Sequence, residues 1–249
     1  MKMLRILGLL GAAALLVGTS SQSSHANLSQ LTGNYYILPS GHPDTWKGID
    51  GSIVTGLVAN QLGPNGRPVA TIFAKTRVGG SGAITSFDAV TSEILWWTAG
   101  PAGVQFEKTQ DDTVPFNILN NFFVDGYTSN PPFRAVHWQG TFIAPENGIA
   151  NFSLAADDDA WLFVNGNLLI DNGGVKALKQ SPSTVGATGL IAGNSYTVDL
   201  FFADRHVIQS AIKFSSDVQL YPIPEPAFFQ MGALAAFGGL GLLRMRRQA

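Results

Sequence analysis

The sequence predicts an all-β fold: an antiparallel β-sandwich with one short helix, an N-terminal signal helix and a C-terminal hydrophobic helix. Three observations predict it. Residues 135–143 and 196–202 alternate apolar and polar side chains with the period of two that a half-buried strand requires. Only 13% of the residues are charged, while 28 Gly and 16 Phe favour strands and turns. The stretch Ala155–Asp171 reads as strand, acidic corner, strand, tight turn, strand. A chain of 249 residues holds one β domain of about 200 residues between its ends. The expected division is therefore a signal peptide (1–26), a sandwich (27–222) and a C-terminal segment (223–249).

Lys2 and Arg5 form a basic start, Ile6–Val17 an apolar run too short to span a bilayer, and Ser24-His25-Ala26 a small-x-small cleavage site. That pattern predicts export through the Sec translocon to a secreted or cell-surface location. The chain has no Cys, so an exported body has no disulfide staples.

In the body, Tyr35–Leu38 reads as a strand and His42-Pro43-Asp44 as a loop. Pro64-Asn65-Gly66 is a turn leading to a strand at Val69–Ala74. Ser86–Trp97 is the helical candidate, because Phe87, Val90, Ile94 and Trp97 recur at helical spacing. Trp96-Trp97 reads either as a packing pair or as a platform for a sugar ring. Val104–Asp112 is extended, and Asp125-Gly126 is a turn. Val136, Trp138, Gly140 and Phe142 then share one strand face, and Ile149–Ala155 returns to the acidic corner. Trp161-Leu162-Phe163-Val164 is apolar on both faces, which predicts burial on both sides. Asn165-Gly166 is a strong two-residue hairpin signal, and Leu168-Leu169-Ile170 runs back from it. Tyr196–Phe202 is the next strand, followed by Asp204-Arg205-His206 and a strand at Ala211–Phe214.

Asp157-Asp158-Asp159 places three carboxylates in a row, with nothing basic within about ten residues to relieve their repulsion. A hard cation such as calcium would relieve it, since such ions take several oxygen ligands. The alternative is a solvated turn in which one Asp caps backbone N–H groups. On the cation reading, adjacent Asp residues of this run supply metal ligands, and Asp204 is a weaker candidate on carboxylate chemistry alone. Asp159, Asn165, Asp171 and His206 are the candidates for ligand contact around the ion.

Ile223-Pro224-Glu225-Pro226 breaks secondary structure, Ala227–Leu243 follows without a charge, and Arg244-Met245-Arg246-Arg247 closes the segment. As a helix the apolar run would be about 25 Å long, short for a 30 Å hydrocarbon layer. The arginines orient it with the body outside the inner membrane.

Two resemblances follow from these residues. Asp157 through Val175, ending Asp171-Asn172-Gly173-Gly174-Val175, resembles the core motif of the fibro-slime domain, a relative of the protective-antigen and flocculin-lectin sandwiches. Gly41-His42-Pro43-Asp44, Gly56-Leu57-Val58, Asn120–Tyr127 and Phe201–His206 are similar to other segments of that family. The resemblance implies calcium at Asp157 and Asp158, with a glycan as partner. The chain departs from it at Val124, at Asn172, at Asp204, which keeps the carboxylate, and at Lys176, where relatives carry His. The order Pro224-Glu225-Pro226, apolar helix, Arg244, Arg246 and Arg247 resembles the PEP-CTERM sorting signal. That implies recognition by exosortase and transient anchoring in the inner membrane; a permanent tail anchor is the alternative.

The formal net charge is −2. Setting aside Lys2, Arg5, Arg244, Arg246 and Arg247 leaves 10 basic residues against 17 acidic, an acidic body that argues against nucleic acid as a partner. Catalysis is not expected. There is no Cys, no Gly-x-Ser-x-Gly elbow, and His42, His137 and His206 are scattered. Three functions stay open: a calcium-dependent carbohydrate-binding or adhesion module of the extracellular polysaccharide, a structural matrix component with stabilising calcium, and a glycan hydrolase.

Overall fold

Residues 28–118, 132–180 and 185–223 are described by the computed structural model. The signal segment, Asn120–Tyr127 and the tail with Pro224, Glu225, Pro226, Arg244, Arg246 and Arg247 lie outside the described residues. Among the described residues no helix is long and apolar enough to cross a membrane.

The alternating segments become antiparallel strands in two sheets, and the all-β sandwich is the fold observed. In chain order the strands are β1 (Gln30–Leu38), β2 (Val58–Leu62), β3 (Pro68–Ala70), β4 (Gln105–Thr113), β5 (Phe116–Ile118), β6 (Phe133–Ile143) and β7 (Ala150–Asp157). Then follow β8 (Asp159–Val164), β9 (Asn167–Asn172), β10 (Lys179–Gln180), β11 (Val185–Ala187), β12 (Ser195–Ala203), β13 (Ala211–Ser216) and β14 (Tyr221–Pro222). The larger sheet runs β3-β2-β9-β8-β12-β6-β1-β4, with β14 also on β6. The smaller runs β10-β7-β13-β5, with β11 on β7.

The main core lies between the sheets. Val136, Trp138, Phe142, Leu162, Val198, Leu200 and Phe202 of the larger sheet meet Phe152, Leu154, Ile212 and Phe214 of the smaller. A second core covers the outer face of the larger sheet, where Trp161, Phe163, Phe201 and Phe133 pack against Leu57, Ile84, Ile94, Trp96 and Trp97. The sheet is thus clad on both faces, which is why every residue of β8 is buried.

In that outer layer, residues 39–104, the turn at Pro64-Asn65-Gly66 is as expected, but the expected helix and most of the strand after that turn fail. Ser86–Trp97 is not a helix; it folds as turns closed by isolated bridges, Val69 with Glu93 and Phe87 with Ile94. The reason is local. The Asp88 carboxylate accepts the N–H groups of Val90 and Thr91, both at 2.8 Å, and Ser92 turns to φ 63°. An Asp side chain that takes backbone donors this way competes with the helix ladder. Thr85 and Ser86 give their N–H groups instead to Asp44. The helix, α1, is Ile72–Thr76, and it cuts short the strand expected over Val69–Ala74. Thr71 caps it by accepting the Ala74 N–H at 3.1 Å. Trp96 and Trp97 are packing residues: both are buried, and Trp97 stands edge-on to Phe201 at 4.9 Å.

Candidate functional site

The topology brings two crossovers to one pole. β7 lies in the smaller sheet and β8 in the larger, so the chain changes sheet at Asp158. β12 and β13 make the same change through residues 204–210. β8 pairs with β12, placing Asp159 beside Ala203, and β7 pairs with β13, placing Asp157 beside Ala211. The two corners are therefore neighbours in both ladders. Asp157, Asp158 and Asp204 meet there although Asp204 is distant in sequence. The Asp157–Asp158 peptide bond is cis.

Lys176 and Arg205 also enter this corner, and sequence reasoning left both without a role there. Arg205 is fully buried. Its Nε donates to Asp159 Oδ2 at 2.7 Å, its backbone N–H to Asp158 Oδ2 at 2.8 Å, and its guanidinium lies over the Trp96 ring. Lys176 arrives on the loop after β9. Its backbone N–H donates to Asp158 Oδ1 at 3.1 Å, and its ammonium reaches the carbonyl oxygen of Asp158. That loop is seated from the outer layer: Asp50 accepts the Val175 N–H at 2.8 Å and is itself paired with Arg77 at 2.7 Å. Gly174 is required within it. Its φ is +96°, and a Cβ there would stand 2.8 Å from Val54 Cγ2.

Burial shapes the electrostatics. Asp157 is 3% exposed, Asp158 1% and Asp204 0%. Burial first, then the neighbouring Asp158 carboxylate, pushes Asp157 up to about 7. Asp158 is raised by burial and by Asp159, against the pull of the Arg205 N–H. Asp204 is raised well above the usual carboxylate range by burial, then by Asp158 and Asp157. The Asp158 carboxyl is close enough to those of Asp157 and Asp204 to raise both. Asp204 Oδ1 accepts the His206 N–H at 3.3 Å, whereas Oδ2 meets no donor. Two carboxyl groups at such range repel unless a proton or a cation lies between them. Burial holds Lys176 down to about 8, against the three nearby aspartates.

The remaining predicted residues divide. His206 lines a cavity of about 210 Å³ with Asp157, Asp158, Lys176, Ile49 and Ile208, and its Nδ1 accepts the Ile208 N–H. Asp159 belongs to the same corner but is turned toward Arg205 and the Gly174 N–H. Asp171 is committed to the Gly56 N–H and Trp161 Nε1, at 2.6 and 2.9 Å. Asn165 is exposed at the β8–β9 turn, the length of β8 from the corner and about 20 Å away. It lines a different groove with Tyr196 and Leu190. Among the described residues, no group of three or more His, Cys, Asp or Glu side chains is arranged to hold a metal ion, so the expected set Asp157, Asp158 and Asp204 does not form a ready ligand group.

Residues 99–225, half of the chain, match the family model described as PA14 domain. The chain belongs to the PA14 domain family. The PA14 match takes in both crossover corners, Lys176 and Arg205, and leaves out most of the outer layer that seats them. The chain is 39% identical over 74 residues to Protein psiE of Dictyostelium discoideum, covering 30% of this chain and 15% of that protein. It is 26% identical over 222 residues to Protein psiB of the same organism, covering 80% and 40%. The chain thus spans less than half the length of these relatives. Among solved structures, the PA14 sugar-binding domain from an RTX adhesin aligns over 78% of this chain and 95% of its own, with a TM-score of 0.32 and 14% identity.

Proposed function

We propose that this PA14 protein is an exported carbohydrate-binding or adhesion module whose acidic corner holds one calcium ion. The observation that carries the reading is the charge at that corner. Four buried carboxyls, Asp157, Asp158, Asp159 and Asp204, face two buried cations, Lys176 and Arg205. With all four ionised the excess would be two negative charges, which protons offset in the cation-free fold, and Asp204 Oδ2 is an acceptor without a donor. One divalent ion between Asp158 and its two carboxyl neighbours supplies that charge. On this reading Asp157, Asp158 and Asp204 would close around the ion from their present positions, and loop carbonyls and water would complete the mixed oxygen shell calcium takes. The cavity of about 210 Å³ beside Asp157 and Asp158 is where a sugar hydroxyl would reach the ion. Asp159, held by Arg205, supports the corner, and His206 stands at the rim.

The fibro-slime pattern, the basic-apolar N-terminus and the Pro224-Glu225-Pro226 tail support export through the Sec translocon and sorting by exosortase. The destination on this reading is a cell-surface or extracellular matrix, with extracellular polysaccharide or a surface glycan as partner. One observation favours a second reading, a matrix component in which calcium only stabilises the fold: the three ligand carboxyls are almost wholly buried. Calcium titration by calorimetry followed by a glycan array, with and without chelator, separates the readings. The first gives chelator-sensitive glycan retention that Asp158→Ala abolishes. The second gives a calcium-dependent thermal shift and no retention. Turnover of an oligosaccharide would replace both with a hydrolase.

A further inference from the structure

Lys176 is 1% exposed, and a lysine so buried is unusual without a carboxylate partner. Its Nζ is bonded instead to three backbone carbonyls: those of Asp158, Asn172 at 3.0 Å and Gly174 at 3.1 Å. An ammonium has three N–H donors, and here all three are used. The side chain therefore has no donor left to grip a ligand and no lone pair to act as a nucleophile.

What surrounds the nitrogen is a set of main-chain oxygens from two separate segments, the Asp158 crossover and the loop after β9. Converging backbone carbonyls are the means by which proteins replace the hydration shell of potassium. Ammonium makes contacts of the same length. The cage is fixed independently of the lysine: Gly174 N–H is held by Asp159, Val175 N–H by Asp50, and Asn172 closes the β8–β9 ladder opposite Ala160.

We propose that these three carbonyls form a monovalent-cation site, and that this chain fills it with its own tethered ion, the Lys176 ammonium. The tether fixes the Asp158 backbone from behind while its carboxyl faces Asp157 and Asp204. The site exists whether or not those carboxyls hold calcium.

The test is chemical rescue of the full chain carrying Lys176→Ala, which removes the ammonium and opens the cage toward the neighbouring cavity. Thermal unfolding is followed in chelator, with ammonium, potassium or tetramethylammonium chloride at matched ionic strength. The expected result is a lowered Tm, raised by ammonium and potassium, unmoved by tetramethylammonium, with no such preference in the unaltered protein. Equal response to all three salts overturns the proposal. Should Lys176→Ala fail to fold in every salt, side-chain NH₃⁺ resonances of the unaltered protein decide. One lysine ammonium strongly protected from exchange with water supports the site, and none protected overturns it. Neither readout involves calcium, so failure of the rescue and failure of calcium binding are separate results.

Discussion

At Asp158 two backbone N–H groups, from Lys176 and Arg205, and two carboxyl neighbours compete for one side chain. Asp158→Asn keeps its shape and removes the charge. The expected outcome is loss of any calcium-induced rise in Tm, with calcium affinity reduced at least about tenfold, read by calorimetry. Asp157 carries a pH signature. In the cation-free fold its carboxyl is pushed up to about 7, while in the unfolded chain it titrates at its ordinary 3.8. The folded state then binds more protons between those values, so stability falls as pH rises from about 4 to about 7. On the proposed calcium reading the ion would displace those protons and flatten the fall. Tm measured across that window in chelator and in calcium checks both statements; a chelated protein that gains stability as pH climbs would contradict them. The acidic run and the crowding it implies were legible in the sequence. Lys176 and Arg205 were not, because each reaches the corner only through sheet pairing, 18 and 46 residues from its partner Asp.

Among the elements, β6, β8 and β12 were readable because side chains alternate by geometry, and the two cores simply select the two faces. The outer layer was not, since its order comes from scattered side chain to backbone bonds. Asp44 is the chief of these. It is buried and accepts from Thr85 N–H and Oγ1, Ser86 N–H and Trp96 Nε1, all within 2.8–2.9 Å. Asp44→Ala strands these donors and is expected to cost at least about 3 kcal/mol in denaturant unfolding. Thr71→Ala removes the cap of α1 and the bond its hydroxyl donates to the Gly56 carbonyl, and should cost about 1–2 kcal/mol. Similar costs for the two would mean that Asp44 does not organise the layer. Helical spacing misled at Ser86–Trp97 because Phe87, Ile94 and Trp97 serve a bridged turn pressed on the sheet, where Asp88 takes the donors a helix would need.

For the molecule as a whole, stability rests on a sheet enclosed between two cores, with no cysteine in the chain to add a crosslink. Leu162→Ala, at the centre of the inner core, should therefore cost about 3–5 kcal/mol in equilibrium unfolding. The same sheet sets a direction. Gln30 donates its N–H to the Leu220 carbonyl, and Tyr221 pairs with Thr141 on β6. The acidic crossovers lie past the other end of that strand, where Ala135 faces Ala203. Both ends of the described body thus leave from the side facing away from the aspartates, about 20 Å behind them. Anything that grips the protein through the residues following Ile223 therefore holds it from the pole opposite the two crossovers.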